Sequence, residues 1–390
     1  MKQTRIAIVA LVMLLVLSRA AAPRRPIPSA AHSAVPAPRV QAAADGVLDL
    51  FKQKSVVAIA DAHGLAQEEA FYSALVRDPR FAKQVGNVVV EFGGSGAQDI
   101  VDRYENGEGV SFAELRHVWT DVAGWLPGPV GLGYVNFYAN VRAVNLKLGP
   151  ASRIKIWLGD PNVDWSNIHS FQDIQPYLAQ RDDNMFRIIT DEILKKQKKA
   201  LLIVGSAHLF GPLSLGARID EAFPKSMAVV APFPSYIEPD CNARLVAYAK
   251  DWPVPAVAGP VGGTSLKSEL QLPGCNYIPK SEIQRIEKMA STPPPPGMKL
   301  PPGMSVPPSP AALISAESNM MSGTSADELL YLGPPRDLLQ APIDPSIYLD
   351  PGYFKEMNRR AQCCTPTHYS LDWEQLVQSN SVVPRKFRTH

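Results

Sequence analysis

The 390-residue chain carries little net charge, few cysteines and none of the common nucleotide-binding motifs. Its 39 basic and 37 acidic residues give a formal net charge of +2, and no basic stripe is interleaved with aromatic residues. Nucleic-acid binding relies on such a stripe, so we expect no nucleic-acid partner. No P-loop, no GxGxxG after a strand and no GxSxG occurs, which disfavours nucleotide binding and a serine-hydrolase elbow.

Only four cysteines are present, with no CxxC and no Cys/His cluster at zinc-finger spacing. This number is compatible with an oxidising compartment but does not require one. Cys241 and Cys275 flank a loop-rich stretch and can form a bridge. Cys363 and Cys364 are adjacent, so they pair with each other only under strain. We interpret all four as structural or idle thiols.

The N-terminus has the order of a Sec signal peptide. Lys2 and Arg5 form a positive segment, residues 6–17 are apolar, and small residues follow up to Ala22. The apolar run is too short to cross a bilayer comfortably; the alternative is an uncleaved anchor. We therefore expect a signal peptide over 1–22, an exported (periplasmic or secreted) protein, and no membrane span after cleavage.

Proline is abundant, with 37 copies, and it clusters. Residues 23–44 are rich in Ala and Pro and are predicted to be a disordered leader. Residues 45–345 are predicted to form the folded domain, with a Pro-rich surface excursion over 291–310. A C-terminal helix and tail are expected over 346–390. That helix should begin at Asp350, which provides a cap before a proline.

Within the folded region, short apolar runs alternate with helical segments. The runs are rich in β-branched residues, as expected of strands that are buried on both faces. The predicted strands are 55–60, 87–92, 153–158, 200–206, 227–231 and 327–332. Strands separated by helices predict a single three-layer α/β domain with a mixed, mainly parallel central sheet.

Polar residues follow four of these strands at their carboxyl ends, where open α/β sheets bind ligands. They are Asp61, His63, Glu91, Asp160 and His208. Glu91 is the clearest case, because it lies inside the apolar run VVVEF and a buried carboxylate is costly unless it is paired or coordinates something. We therefore predict that these residues converge at one rim of the sheet.

Arg181 is the predicted partner of Glu91. It lies on a long helix, predicted over 174–198, and shares one face with Met185 and Ile188 by helical spacing. These apolar residues should face the sheet and draw Arg181 inward, where it would pair with Glu91 or clamp an anion. The alternative is a buried salt bridge that only sets packing.

In this order, the residues resemble the motifs of the superfamily that contains erythromycin esterases, the ChaN haem-uptake lipoproteins, and the TraB and Tiki proteins. The family's Gly-Glu-x-His at a strand end is similar to Ala60-Asp61-Ala62-His63, and its Glu ending the next strand is similar to Glu91. Its Arg four positions before Met is similar to Arg181, and its Gly-x-x-His is similar to residues 205–208. The resemblance spans residues 45–232.

The chain departs from the family pattern at Ala60 and Asp61, where the family has glycine and glutamate. Aspartate has a shorter reach than glutamate, so its role as metal ligand or base would be shifted or lost. The family includes hydrolases, metal-dependent peptidases and haem binders. The resemblance therefore implies the fold more closely than the reaction.

The first functional expectation is a hydrolase of ester or amide bonds that acts on a small molecule or a peptide. His63 would be the general base, oriented by Asp61 or Glu91. Arg181 and His208 would stabilise the developing oxyanion. In a metal-dependent variant, a divalent ion would be held by two histidines and a carboxylate: His63, His208 and Glu91 or Asp61.

The competing expectation is a haem- or metal-binding protein of the ChaN type. Haem requires an axial histidine or tyrosine within an apolar pocket, and Tyr104, Tyr134 and Tyr138 are the candidate tyrosines. Arg142 and Asn145 share one helix edge and are lesser candidates for the site, with packing or capping as the alternative.

Overall fold

The described residues of the computed structural model are 35–124, 131–211, 214–233, 239–271 and 325–365, with short pieces near 285 and up to 384. The predicted signal peptide, the Pro-rich excursion and the Cys241–Cys275 pairing lie outside the described residues and side chains. From Ala37 onward the described residues belong to one compact unit. No helix among them is long and apolar enough to cross a membrane.

The strands of the described part form one eight-stranded sheet and one small two-stranded sheet. The large sheet contains β1 (Arg39–Ala42), β2 (Val56–Asp61), β3 (Asn87–Gly94), β4 (Lys155–Asp160), β5 (Ala200–Gly205), β6 (Met227–Phe233), β7 (Ala256–Gly259) and β8 (Glu328–Tyr331). Its order is β1-β7-β8-β6-β2-β5-β3-β4. Among the described strands of this large sheet, β1–β7 and β7–β8 pair antiparallel and the other neighbours pair parallel, which confirms the predicted mixed, mainly parallel sheet.

Helices cover both faces of this sheet. They are α1 (Ala43–Leu50), α2 (Ala66–Arg77), α3 (Pro79–Gln84), α4 (Gln98–Glu105), α5 (Phe112–Thr120), α6 (Leu132–Asn145), α7 (Phe171–Ala179), α8 (Arg181–Ile188), α9 (Leu215–Ala222), α10 (Pro239–Tyr248), α11 (Ser265–Leu270), α12 (Ser346–Leu349) and α13 (Pro351–Cys364). The small sheet pairs β9 (Leu339–Gln340) with β10 (Val383–Pro384).

The alternation of side chains along β2 explains the three layers. Val57 and Ile59 point into one hydrophobic core, while Val56 and Ala58 point into the other. All four side chains are fully buried. Successive residues of a strand face opposite sides of a sheet, so a strand that is apolar throughout requires helices on both faces.

The folded unit begins earlier than predicted. Residues up to 44 were expected to be disordered, but Arg39–Ala42 form β1 and α1 starts at Ala43. β1 pairs along its whole length with β7. The proline- and alanine-rich composition conceals this strand, because its order comes from the free edge of β7 and not from its own propensity.

The long helix predicted over 174–198 is broken at Gln180. The segment forms α7, α8 and a terminal π-helical turn over Ile189–Leu194. No glycine or proline stands at position 180, so composition did not indicate the break. Its consequence is that Arg181 begins α8. The apolar face of α8 is as expected, with Met185 fully buried.

The edge strand β4 is shielded by side chains of α4. The Gln98 side chain donates from Nε2 to the Ile156 carbonyl at 2.9 Å and accepts the Leu158 N–H through Oε1 at 3.0 Å. Glu105 Oε2 accepts the Ile156 N–H at 2.9 Å. An unprotected edge strand is a template for pairing with other chains, and these side chains occupy its backbone groups.

The C-terminal helix starts where it was predicted to start. Asp350 Oδ1 accepts the N–H groups of Gly352 at 2.9 Å and Tyr353 at 3.2 Å, and Pro351 occupies the first helical position. A carboxylate on the first free N–H groups together with proline at the first position is a favourable helix start.

Candidate functional site

The loop after β2 presents His63 at the carboxyl edge of the sheet. His63 has φ +35° and Gly64 has φ +73°, so two consecutive residues are left-handed. Such a conformation is uncommon for histidine and is found where surrounding contacts over-determine it. The side chain of His63 keeps 43% of its surface exposed, although neighbouring Asp61 is buried. The turn therefore places the imidazole of His63 at the protein surface, directly after the buried strand β2.

Asp61 holds this imidazole from below. Its Oδ2 lies 2.7 Å from Nδ1 of His63. Two buried tyrosines also donate to the carboxylate: Tyr72 to Oδ1 at 2.9 Å, and Tyr134 to Oδ2. Three donors fix the carboxylate in position, and a hydrogen bond donated from Nδ1 makes Nε2 the basic nitrogen of a neutral imidazole.

Glu91 occupies the centre of the cluster. Oε1 contacts Nη2 of Arg181 and lies 3.5 Å from Nε2 of His208. Oε2 accepts the N–H of Gly205. An added Cβ on Gly205 would lie 2.7 Å from Nε2 of His63 and 3.3 Å from Glu91 Oε2, so the tip of His63 reaches the same place. The predicted convergence of these strand ends is present in the fold.

Arg181 bridges two buried carboxylates. Besides Glu91, it donates from Nε to Asp160 Oδ1 at 2.6 Å. Asp160 Oδ2 in turn accepts the backbone N–H groups of Ala123 and Gly124, the latter at 3.2 Å. Gly124 is needed here, because a Cβ would lie within 2.2 Å of the guanidinium carbon. The arrangement holds the guanidinium in one orientation, as two charge-assisted bonds require.

His208 repeats the arrangement of His63 on the other side of Glu91. Its Nδ1 contacts Oδ1 of Asp182, whose Oδ2 accepts the Leu215 N–H at 3.1 Å at the start of α9. His208 is 14% exposed at its side chain, so it is reachable but less open than His63. Each of the two histidines thus has a carboxylate on Nδ1, and Nε2 of His208 faces Glu91 Oε1 at 3.5 Å.

The charges of these groups set their protonation states. Burial opposes ionisation of Glu91, but the hydrogen bond from His208 and the Arg181 guanidinium hold the pKa of Glu91 well below its usual range. Burial also opposes the charge on His208, but Asp182 and Glu91 outweigh it and raise the pKa of His208 to about 9. At neutral pH, Glu91 is therefore a carboxylate and His208 an imidazolium.

The pKa of His63 is raised above 6.5 for a related reason. Burial again disfavours the charged ring, but the Coulombic attraction and hydrogen bond of Asp61 prevail, with a further contribution from Glu91. Burial raises the pKa of Asp160, although Arg181 opposes this shift. Asp61 thus favours the protonated form of the His63 ring, which is the form that a general base reaches when it accepts a proton.

A divalent metal does not fit this set of donors. His63, His208 and Glu91 come together as the metal hypothesis requires, but Arg181 already engages Glu91 Oε1, and the Gly205 N–H engages Oε2. Within the described ranges, no group of three or more His, Cys, Asp or Glu side chains is arranged to hold an ion.

Two of the three tyrosines proposed as haem ligands, Tyr134 and Tyr138, are buried and already use their hydroxyl groups as hydrogen-bond donors. The hydroxyl of Tyr134 donates to Asp61, and that of Tyr138 donates to the Phe92 carbonyl at 2.8 Å. Both side chains are fully buried. Tyr104 packs beneath the Arg142 guanidinium at 4.7 Å from its ring centre. The described geometry therefore gives no support to tyrosine ligation of haem.

Sequence reasoning missed some residues of the cluster and included others that lie elsewhere. Asp182 was not singled out, whereas Asp160 was predicted at the rim and lies there, in contact with Arg181. Arg142 binds backbone carbonyls of Tyr104, Gly107 and Glu108, and Asn145 binds those of Glu105 and Ile154. The last two residues hold loops together, as their packing alternative stated, and do not reach the cluster.

Comparisons with known proteins add little to this picture. No protein-family model matches the chain, and no curated protein matches it. A structure of a Bacillus cereus protein aligns over 47% of this chain and 67% of its own, with 11% identity and a TM-score of 0.31. The C-terminal region of Pasteurella multocida toxin, with a thiol-protease-like catalytic triad, aligns over 51% and 25%, with 10% identity and a TM-score of 0.33.

The type III effector HopBA1 aligns over 52% of this chain and 87% of its own, with 13% identity and a TM-score of 0.33. The chain spans about a quarter of the toxin chain that it matches. Structural similarities at this level carry no argument about fold or activity. The functional interpretation of the candidate site therefore depends on the geometry of its own residues.

Proposed function

We propose that this protein is an exported hydrolase of ester or amide bonds in which His63 is the general base. The observation that carries the proposal is the Asp61–His63 pair, with a 2.7 Å contact at Nδ1 and an open imidazole. A structural ion pair has no need for an exposed histidine on a left-handed backbone. A general base does need an exposed imidazole, because its Nε2 must reach the water molecule that attacks the substrate.

In the proposed reaction, a water molecule gives a proton to Nε2 of His63 while its oxygen attacks the substrate carbonyl carbon. Asp61 stabilises the imidazolium that forms, as a carboxylate at Nδ1 does in other hydrolases. The tetrahedral intermediate collapses with cleavage of the ester or amide bond. The proton held on His63 then passes to the leaving alkoxide or amine, so the base is restored.

His208 and Arg181 would stabilise the negative charge on the attacked carbonyl oxygen. His208 is a cation at neutral pH, and its Nε2 is 3.5 Å from Glu91, a long contact that a substrate oxygen can replace. Arg181 is fixed by Glu91 and Asp160 and contributes a second positive charge. Preorganised donors of this kind commonly supply the largest part of the rate enhancement.

The experiment is a hydrolysis assay of the purified protein against a panel of chromogenic esters and amides. We expect His63→Ala to lower the rate by about 10²–10⁴-fold, the usual contribution of a positioned general base. His169→Ala is the control, because His169 is exposed and donates to Asp173 through its backbone N–H, which alanine retains. That variant should retain wild-type activity. Equal rates for His63→Ala and wild type would refute the proposed function.

A further inference from the structure

A disulfide joins Cys363 to its neighbour Cys364 at the C-terminal end of α13. A bridge between adjacent residues closes a ring of eight atoms that includes the peptide bond. The two residues differ in accessibility, because Cys364 is fully buried and Cys363 is partly exposed. One half of the bridge is thus open to attack while the other half belongs to the hydrophobic interior.

The disulfide packs into a small hydrophobic cluster of its own. The buried members around Cys364 are Ala123, Val163, Trp165, Ile168 and Ile174. Cys364 Sγ lies 4.0 Å from the Ile168 carbonyl oxygen, and Cys363 Sγ lies 3.6 Å from Nη1 of Arg359. Arg359 in turn donates to the carbonyls of Ile168 at 2.8 Å and Trp165 at 3.0 Å.

This cluster is connected to the candidate site through Ala123. The N–H groups of Ala123 and Gly124 donate to Asp160, and Asp160 fixes Arg181. The same helix also contacts Thr120 and Asp121, which lie just before this part of the chain. Arg360 of α13 donates to the Thr120 carbonyl and lies 3.2 Å from Asp121 Oδ1.

The C-terminal end of α13 therefore packs against residues 120–124. The N–H groups of that segment in turn hold Asp160, the carboxylate that fixes Arg181. Ala123 links the two regions directly, because its side chain belongs to the disulfide cluster and its N–H donates to Asp160.

We propose that the Cys363–Cys364 disulfide is a redox switch that regulates the candidate site through residues 120–124. The effect on turnover rests on the proposed hydrolase function, whereas the effect on the segment 120–124 does not. The oxidised form holds Ala123 and Gly124 against Asp160. The reduced form releases the end of α13 and loosens the anchor of Arg181.

The reductant is a dithiol. Its first thiolate attacks the accessible Cys363 sulfur, forms a mixed disulfide and displaces the Cys364 thiolate, which takes up a proton. The second thiol of the reductant then resolves the mixed disulfide and leaves as a cyclic disulfide, with Cys363 released as a thiol. Two electrons pass to the protein, and the eight-atom ring opens. The burial of Cys364 makes it the leaving group and Cys363 the point of entry.

The test measures amide hydrogen exchange of Ala123 and Gly124 in the full chain, with and without a dithiol, alongside hydrolysis. We expect reduction to accelerate exchange at these amides by at least about ten-fold, because their acceptor Asp160 is no longer held against them. Turnover should fall in parallel. Thiol alkylation followed by peptide mass analysis shows that the bridge was joined at the start and open after reduction.

Cys363→Ser/Cys364→Ser is the control variant, since it still contains Cys241 and Cys275. It should exchange as the reduced protein does and should not respond to the dithiol. Unchanged exchange in the fully reduced wild-type protein would overturn the switch, as would a control variant that still responds or adjacent cysteines that are not joined. A protein without any hydrolytic activity would defeat the proposed function alone, because the exchange measurement would still decide the switch.

Discussion

Asp61 Oδ2 lies 2.7 Å from His63 Nδ1, although the motif that this loop resembles has glutamate in place of Asp61. The shorter side chain reaches because the backbone turns at His63, with φ +35°, and brings the imidazole down to it. Tyr72 and Tyr134 hold the other side of the carboxylate. The backbone turn and these hydrogen bonds together hold the histidine in one orientation.

Asp61→Asn should therefore abolish most activity without removing any atom of the cluster. An amide at this position can donate to Nδ1, which places the ring proton on Nε2 and leaves no base toward the substrate. We expect a loss in kcat of about 10²–10⁴-fold. NMR titration should also show a lower pKa for His63, since the Asp61 charge raises it in the wild type. A variant with an unchanged His63 pKa would contradict this account.

The rate should depend on pH in a bell shape, with one limb set by His63 and the other by His208. His63 must be neutral to accept a proton, so kcat/KM rises as pH increases through its pKa, which lies above 6.5. His208 must be protonated to stabilise the oxyanion, so the rate falls as pH increases through about 9. Measurement from pH 5 to 10 tests both limbs.

Two variants test which histidine controls each limb of this pH–rate profile. His208→Gln should lower the plateau and remove the decline near pH 9, while the acid limb stays where it was. Asp61→Asn should move the acid limb to lower pH in the residual activity. An alkaline limb that persists in His208→Gln would show that another group controls it.

Gly205→Ala should damage activity much more than stability. The new methyl group would lie 2.7 Å from His63 Nε2, and 3.3 Å from Glu91 Oε2, so the imidazole must move. His63 is half exposed and can swing outward, which relieves the clash at small cost to folding. A decline in kcat/KM of about 10²-fold is expected from a displacement of about 1 Å. Gly149→Ala, where nothing lies within 4 Å, is the control and should match wild type in both assays.

Arg181→Met should destabilise the fold itself. It leaves Glu91 and Asp160 buried next to one another without the guanidinium that pairs with both. Removing one partner of a buried ion pair costs about 3–5 kcal/mol. Urea unfolding measures this loss. Arg187→Met, on the exposed side of the same helix, should change the free energy of unfolding by less than about 0.5 kcal/mol. Similar stabilities for the two variants would contradict the bridging role.

The sequence predicted the parts of the site that local patterns encode. Glu91 stands out because it interrupts an apolar strand, and Arg181 because it shares a face with Met185; the structure places the two in contact. The parallel sheet follows from the same alternation of apolar runs and helices. These features depend on residues close in the chain, so no knowledge of distant contacts is needed.

Asp182 could not be found in this way. It follows Arg181 in the first turn of α8, where an acidic residue ordinarily serves the helix dipole. Its contact with His208 exists only because the loop after β5 folds back over α8. Tyr72 and Tyr134 are similar cases, since a tyrosine that donates to a buried carboxylate looks the same in sequence as one that simply packs. Such pairings are set by tertiary structure alone.

Glu105 shows how the fold creates a titration that composition does not reveal. It is 2% exposed on α4, and burial raises its pKa to about 8 despite Lys155 at 3.5 Å. The folded state therefore binds this proton more tightly than the unfolded state, whose pKa is close to 4.5. Stability from this group is complete below pH 4.5 and is lost as pH rises through about 8. The slope reaches about 1.4 kcal/mol per pH unit.

Glu105→Gln should remove this dependence. Glutamine keeps an oxygen for the Ile156 N–H on the edge strand but carries no ionisable proton. The free energy of unfolding is measured in urea at pH 5, 6.5 and 8. It should fall with pH more steeply in wild type than in the variant, so the stability of the variant relative to wild type should increase as pH rises. Glu108→Gln, on an exposed side chain three residues later, should follow the wild-type slope. Parallel curves for wild type and Glu105→Gln would mean that Glu105 is ionised throughout and that Lys155 alone compensates its burial.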